Sequence, residues 1–318
     1  MKDDNGMNGM EINGMEINQL PETSERYVVH PSPGESITSL LTGNTYTIGE
    51  KIGEGFYGVV YAYKDVWEND LAAKVLKPIG TYEKVKTAAE GEFQKLFKLR
   101  NPYITYIYDA FEFRDTFYII TEYCHSPLTH IFSLEDFNGL IWLRPVARCL
   151  LQAVHYLHIH NYVHQDIHPG NVFASFVKDE LLPDSIKAIQ FKLGDLGIAK
   201  LLNEVDETNT RAQWMLPPEV LDSAEFGPID NRIDIYHVGL LFLQLAYSKE
   251  LQFSRDEILL GKPREMALAL PVPFNFAIEK TLRRHVEYRT ATAMEIWRDL
   301  HMPNQEQLEA IQRNSIKS

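Results

Sequence analysis

Residues 163–173, VHQDIHPGNVF, hold an acid and an amide, Asp166 and Asn171, five positions apart around a Pro-Gly turn. The apolar flanks anchor that turn in a core, and what the polar pair does depends on the rest of the chain. Residues 53–60, GEGFYGVV, match G-x-G-x-x-G-x-V and join two predicted strands. A dinucleotide fingerprint needs a strand followed by a helix, so that reading does not apply. Glycine lets backbone N–H groups reach phosphate oxygens with no Cβ in the way. An ordinary hairpin turn with a bulge fits the string as well. Sixteen residues past Gly58 lies Lys74, in LAAKVLK. A lysine among strand residues needs a partner if it points inward, and otherwise simply faces water. Glu90 and Glu92 in the next helical stretch could reach back to it. An anchored ammonium suits a pair of phosphate groups, so the chemistry in view is phosphate binding.

These residues need a frame. YTIGEKIG, GVVYAYKD, LAAKVLK and FYIITEYC alternate and carry many β-branched and aromatic residues, which predicts strands. Between the last two, VKTAAEGEFQKLFKL has helical spacing and places Val85, Ala88, Ala89, Phe93, Leu96 and Phe97 on one face. After residue 125 the pattern turns helical. PVARCLLQAVHYLHIHN is amphipathic, and DIYHVGLLFLQLAY is apolar nearly all round, which predicts a central buried helix. NFAIEKTLRRHV and TAMEIWRDL read as surface helices. A sheet-rich half followed by a helix-rich half predicts two lobes with a cleft between them.

The 318 residues fit one large or two-lobed domain. Net charge is −13, from 31 Lys plus Arg against 44 Asp plus Glu, which argues against a nucleic-acid surface. The two cysteines, Cys124 and Cys149, are far apart and form no CxxC pair. A reducing, cytoplasmic setting follows. The N-terminal stretch has no apolar signal region, and the longest strongly apolar run, 238–247, is too short to span a bilayer. Residues 1–26 repeat NGMEI at 8–12 and 13–17 and read as a disordered acidic tail. Residues 27–45 read as an N-terminal extension with room for an extra hairpin, and 302–318 as a C-terminal tail. The histidines of HYLHIHNYVH would place His160 and His164 on one helical face only if the helix ran that far.

Glycine loop, strand lysine, helix glutamate and H-x-D loop, in this order, resemble the eukaryotic-type protein kinases. The resemblance covers about 46–301. It implies an α+β, bilobal fold: a small antiparallel-sheet N-lobe with one helix (46–123) and a larger, mainly helical C-lobe (124–301). Gly53, Gly55, Gly58 and Val60 match the loop over the ATP phosphates. Lys74, preceded by Ala72 in AAK, matches the lysine that holds the α- and β-phosphates. Glu92, ten residues before Pro102, matches its ion-pair glutamate, with Glu90 as second choice. Thr121 falls at the gatekeeper position, and the hinge from Glu122 to Cys124 would meet adenine with its backbone. Asp166 matches the catalytic base. Asn171 and Asp195 match the metal ligands, with Leu196 where Phe is usual. Glu219 in PPE, Asp234 and Gly239 in DIYHVG, and Arg289 match large-lobe residues, and Arg289 is the family's partner for Glu219.

The resemblance implies ATP and Mg²⁺, with Mn²⁺ as the alternative ion, and a protein substrate phosphorylated on Ser or Thr. It implies no nucleic-acid or membrane partner and leaves the oligomeric state open. Three residues depart from the family pattern. Gln165 replaces the arginine of H-R-D, which implies activity without phosphorylation of Thr208 or Thr210. His168 stands where serine/threonine kinases carry a catalytic-loop lysine, so the charge there depends on pH. Ala212 occupies the expected place of the loop threonine. Between Asn171 and Asp195 the chain is longer than the family needs, and KDELLPDSIKA (178–188) reads as an exposed hairpin extension. The string H-x-D-x-H-P-G-N is also similar to antibiotic- and choline-type phosphotransferases, but PPE, DIYHVG and Arg289 favour the protein kinases. A catalytically weak nucleotide-binding scaffold is the third reading. Gln165, His168 and Leu196 speak for it; Lys74, Asp166, Asn171 and Asp195 speak against it.

Overall fold

A computed structural model describes residues 30–54, 58–67, 69–77, 82–178, 187–196, 200–201, 205 and 216–301. Both expected tails, Gly55, residues 179–186 of the insertion, and Thr208, Thr210 and Ala212 lie outside the described residues.

The N-terminal half builds one antiparallel sheet from β1 (Ser36–Thr38), β2 (Thr45–Glu54), β3 (Gly58–Lys64) and β4 (Asp70–Leu76). After helix α1 (Tyr82–Lys98) it adds β5 (Ile107–Phe113) and β6 (Thr116–Glu122). The strand order is β1-β2-β3-β4-β6-β5. Successive side chains of a strand point to opposite faces, and here each face has its own core. Leu71, Ala73, Val75, Tyr118 and Ile120 join Tyr46, Tyr63 and Phe111 on the outer face. There the rings of Tyr46, Phe111 and Tyr118 stack at 5.8 and 5.5 Å between centroids. Leu76, Phe117 and Ile119 face the other way and join Val85 and Ala89 of α1 in the main core. Alternation therefore sends Ala72, Lys74 and Thr121 to the inner face, with Ala72 opposite Thr121 and Lys74 opposite Ile119.

The C-terminal half is mainly helical. It runs through β7 (Ser126–Pro127), α2 (Leu128–Phe132), α3 (Gly139–Ile159), β8 (Tyr162–Val163), β9 (Val172–Lys178), β10 (Lys187–Leu193) and β11 (Lys200–Leu201). Then come α4 (Pro218–Leu221), α5 (Ser223–Phe226), α6 (Arg232–Ala246), α7 (Arg255–Leu260), α8 (Lys262–Leu268), α9 (Phe274–Thr281) and α10 (Ala293–Leu300). Residues 233–245 of α6 are all buried, so this helix is the axis around which the lobe packs. Gly239 allows a close approach: a Cβ there would run into the Thr281 side chain of α9. The expected pair between Arg289 and Glu219 forms, with Nη1 and Nη2 donating to the two carboxylate oxygens at 2.6 and 2.7 Å. The architecture is α+β, a sheet-built N-lobe against a helical C-lobe.

One expectation from spacing needs correction, and one condition is not met. Phe97 does not join the buried face of α1; it is 53% exposed and lies against Phe93 and under Arg100. Steps of four residues drift about 40° each round a helix, so Phe97 is carried away from the face that Val85 and Ala89 bury. His160 and His164 do not share a helix face, because α3 ends at Ile159. The His160 ring instead bonds the Tyr156 carbonyl, while His164 is buried.

Candidate active site

The loop between β8 and β9 is held from beneath by one buried acid. Asp234, in the first turn of α6, accepts from the backbone N–H groups of His164 and Gln165 at 2.9 and 2.8 Å. His158 of α3 meets the same carboxylate at 2.9 Å. Burial pushes the Asp234 carboxyl up, but His158, His164 and the backbone donors outweigh it and hold it below the ordinary carboxylate range. Gln165 adopts φ +69° and Asp195 φ +53°, both in the left-handed region. Such backbone strain costs about 1–3 kcal/mol per residue and persists only where surrounding contacts over-determine it.

His164 spans two segments. Its Nδ1 accepts from the Asp166 N–H at 3.2 Å, so its Nε2 carries the proton and donates to the Gly194 carbonyl at 3.0 Å. Gly194 N–H donates to the Asn171 carbonyl at 2.8 Å, so the loop and the end of β10 form one unit. A Cβ at Gly194 would stand 2.7 Å from the Phe173 ring, which packs close against this turn.

Within that unit the amide nitrogen of Asn171 donates to the Asp166 carbonyl at 2.9 Å and to its carboxylate at 3.1 Å. The amide oxygen is then what Asn171 can offer a cation. His168 Nδ1 accepts from the Gly170 N–H at 3.1 Å. Its Nε2 lies 3.6 Å from the Asp166 carboxylate, at ion-pair rather than hydrogen-bond distance. Burial pushes the Asp166 carboxyl up, and the imidazoles of His168, His164 and His237 more than offset it, leaving it below the ordinary range. Asp166 is therefore a carboxylate at neutral pH.

Lys74 reaches this unit from the opposite lobe. Its Nζ donates to Asp195 Oδ1 at 2.9 Å, an ion pair between β4 and the end of β10. Glu92 belongs to α1, and its side chain lies outside what is described. In the β2–β3 hairpin Gly53 pairs with Val60, and Gly58 pairs with Leu76 of β4. A Cβ at Gly58 would press within 2.7 Å of the Val75 carbonyl. On the inner face the Thr121 hydroxyl bonds the Glu122 carbonyl at 3.2 Å and approaches that of Ala72 at 3.5 Å. The Glu122 side chain pairs with Lys192. Burial and the Glu122 charge push the Cys124 thiol up to about 12, with Lys192 opposing them, so this thiol is protonated.

The site residues come from β2, β3, β4, β6, the 164–171 loop and the end of β10. Sequence reasoning missed three contributors: Phe173, Lys192 and His237. His237 lies on α6 with its Nδ1 unpartnered among the described residues, and burial lowers its pKa to about 4. His237 and Phe173 lie within DIYHVG and VHQDIHPGNVF, but at positions to which those motifs assign no role, and no motif reaches Lys192.

Residues 46–299 match the protein kinase domain family, and the chain belongs to that family. It is 27% identical over 224 residues to the RAF proto-oncogene serine/threonine-protein kinase of Xenopus laevis, covering 67% of this chain and 33% of that protein. It is 27% identical over 261 residues to Serine/threonine-protein kinase 10 of Danio rerio, covering 77% of this chain and 26% of that one. The chain thus spans about a third or less of the length of the curated relatives it matches.

Proposed function

We propose that the chain transfers the γ-phosphoryl group of ATP to Ser or Thr hydroxyls of protein substrates, without needing phosphorylation of its activation segment. The observation that carries this reading is the 2.9 Å contact between Lys74 and Asp195, which brings a phosphate-binding cation and a metal-binding carboxylate together across the lobes. Asp195 and the Asn171 amide oxygen are hard oxygen donors of the kind Mg²⁺ takes, with Mn²⁺ as the alternative ion. When bound, the ion would neutralise phosphate charge, which is most of what phosphoryl transfer needs.

The chain's own residues do the positioning. Gly53, Gly58 and Val60, with Gly55 as the family pattern implies, would cover the triphosphate, and Lys74 would pair with its α- and β-phosphates, with Glu92 as the ion-pair partner that pattern implies. Ala72, Thr121, Glu122 and Cys124 line the adenine end. Asp166, ionised and oriented by Asn171, receives or orients the proton of the attacking hydroxyl. His168 occupies the place beside Asp166 from which a cation could meet the γ-phosphate. Gln165 supports independence from phosphorylation, because it lacks the charge that would pair with a phosphate.

The test is incubation of the purified full chain with labelled ATP·Mg, a generic protein and a panel of amino alcohols. Phosphoserine or phosphothreonine on the protein is the expected result. Label on the amino alcohols alone would assign a small-molecule phosphotransferase, and no transfer at all would assign a scaffold. Asp195→Asn is expected to nearly abolish turnover. Asp166→Asn is expected to lower kcat by about 10²–10⁴-fold, the usual weight of a positioned base.

A further inference from the structure

The acid at the start of the hinge has no motif-level role for its side chain, yet it is among the most heavily bonded in the cleft. Glu122 receives the Lys192 ammonium on both carboxylate oxygens, at 2.8 and 2.7 Å. Its Oε1 also accepts from the Tyr106 backbone N–H at 2.7 Å. The Glu122 N–H in turn donates to the Tyr106 carbonyl at 2.9 Å. The two charged side chains are only 12% and 17% exposed. An ion pair removed from water this far is strong when intact and costly when one partner is lost.

The place of Lys192 in the chain gives the contact its consequence. It lies opposite Phe173 in the β9–β10 ladder, two residues past Asn171, and three residues before Asp195. Gly194, between them, bonds the Asn171 carbonyl. One end of the bridge therefore sits on the hinge, and the other on the strand pair that carries both metal-ligand candidates.

We infer that Lys192 is a positioning residue: through Glu122 it fixes the distance between the hinge and the Asn171–Asp195 strand pair, so that the site grips both ends of one nucleotide. This rests on the reading of the cleft as an ATP site. A nucleotide bound at both ends feels any change in that spacing as lost affinity. The Asp166 loop shares bonds with that strand pair but has its own anchor in Asp234, so the loss is expected to fall on nucleotide affinity more than on turnover.

The experiment uses the full chain, the fluorescent nucleotide mant-ATP for affinity, and steady-state kinetics with ATP·Mg. Lys192→Met is expected to weaken mant-ATP binding and raise the KM for ATP by about tenfold, within the range of coupling between contacting charged residues, with kcat changed about twofold or less. Glu122→Gln should weaken mant-ATP binding likewise, and the double variant should bind no worse than the poorer single one. Lys192→Arg keeps the charge and should retain most of the affinity. The inference is overturned if Lys192→Met melts earlier yet binds mant-ATP like the parent, if kcat alone falls, or if the two single losses multiply. If Lys192→Met does not fold, Glu122→Gln and Lys192→Arg carry the same test. Failure of the parent chain to bind mant-ATP at all would remove the ATP site itself, and this inference with it.

Discussion

His237 is buried on α6 among charged neighbours, and burial outweighs the pull of Asp234, Asp166 and Glu219 to leave it neutral down to about pH 4. An unfolded chain protonates the same ring near 6.5. The sign follows directly: between about pH 6.5 and 4 the unfolded state binds a proton that the folded state refuses, so stability falls as pH falls. Over that window the loss from this one residue is about 3 kcal/mol. Asp234 acts lower down. Its folded pKa is depressed, so its contribution is present above the unfolded carboxylate value and is lost as pH falls through the folded one. Urea unfolding at stepped pH should therefore show a decline beginning near pH 6.5, well above the carboxylate range. His237→Leu should flatten that upper part and leave the lower part in place; an unchanged slope would remove His237 from the account.

The elements explain why some residues could be read from the chain and others could not. Helix α6 announced itself, because a run that is apolar on nearly every face has nowhere to lie but inside a lobe. The end of α1 misled, because repeated four-residue steps from Val85 and Ala89 drift about 40° each round the helix and leave Phe97 off the buried face. The pair of Arg289 with Glu219 staples the segment after α9 to the start of α4, both side chains 0% exposed and Arg289 lying over the Tyr236 ring at 4.9 Å. Arg289→Ala would leave Glu219 buried without its counter-charge, at a cost of about 3–5 kcal/mol. That is expected as a large drop in the denaturant midpoint, and a change under about 1 kcal/mol would contradict the burial of the pair.

At the scale of the whole molecule, the two lobes share one core. Leu76 and Ile119 of the sheet belong to the same cluster as Leu241 and Phe242 of α6. Backbone bonds from Thr105 to Leu193 and from Leu193 to Tyr103 stitch the lobes together beside Asp195. On the proposed reading, Gln165 offers no charge to a phosphate in the activation segment, so the assembled site is expected to work without one. Phosphatase-treated protein is expected to keep its rate of phosphoryl transfer, and silencing by phosphatase would overturn that expectation.

The chain's own order of residues carried the family, the two-lobed α+β plan, and the candidates Lys74, Asp166, Asn171 and Asp195. These are legible because strand alternation, helical spacing and close-set loop motifs are local properties. Apart from the Arg289–Glu219 pair, which the family resemblance implied, the contacts between distant segments were decided by the tertiary structure: Lys74 against Asp195, Asp234 beneath the 164–171 loop, Lys192 clasping Glu122, and the burial of His237. Each depends on how two elements far apart in sequence are placed in space, and a side chain's charge state follows from the burial and partners that this placement creates.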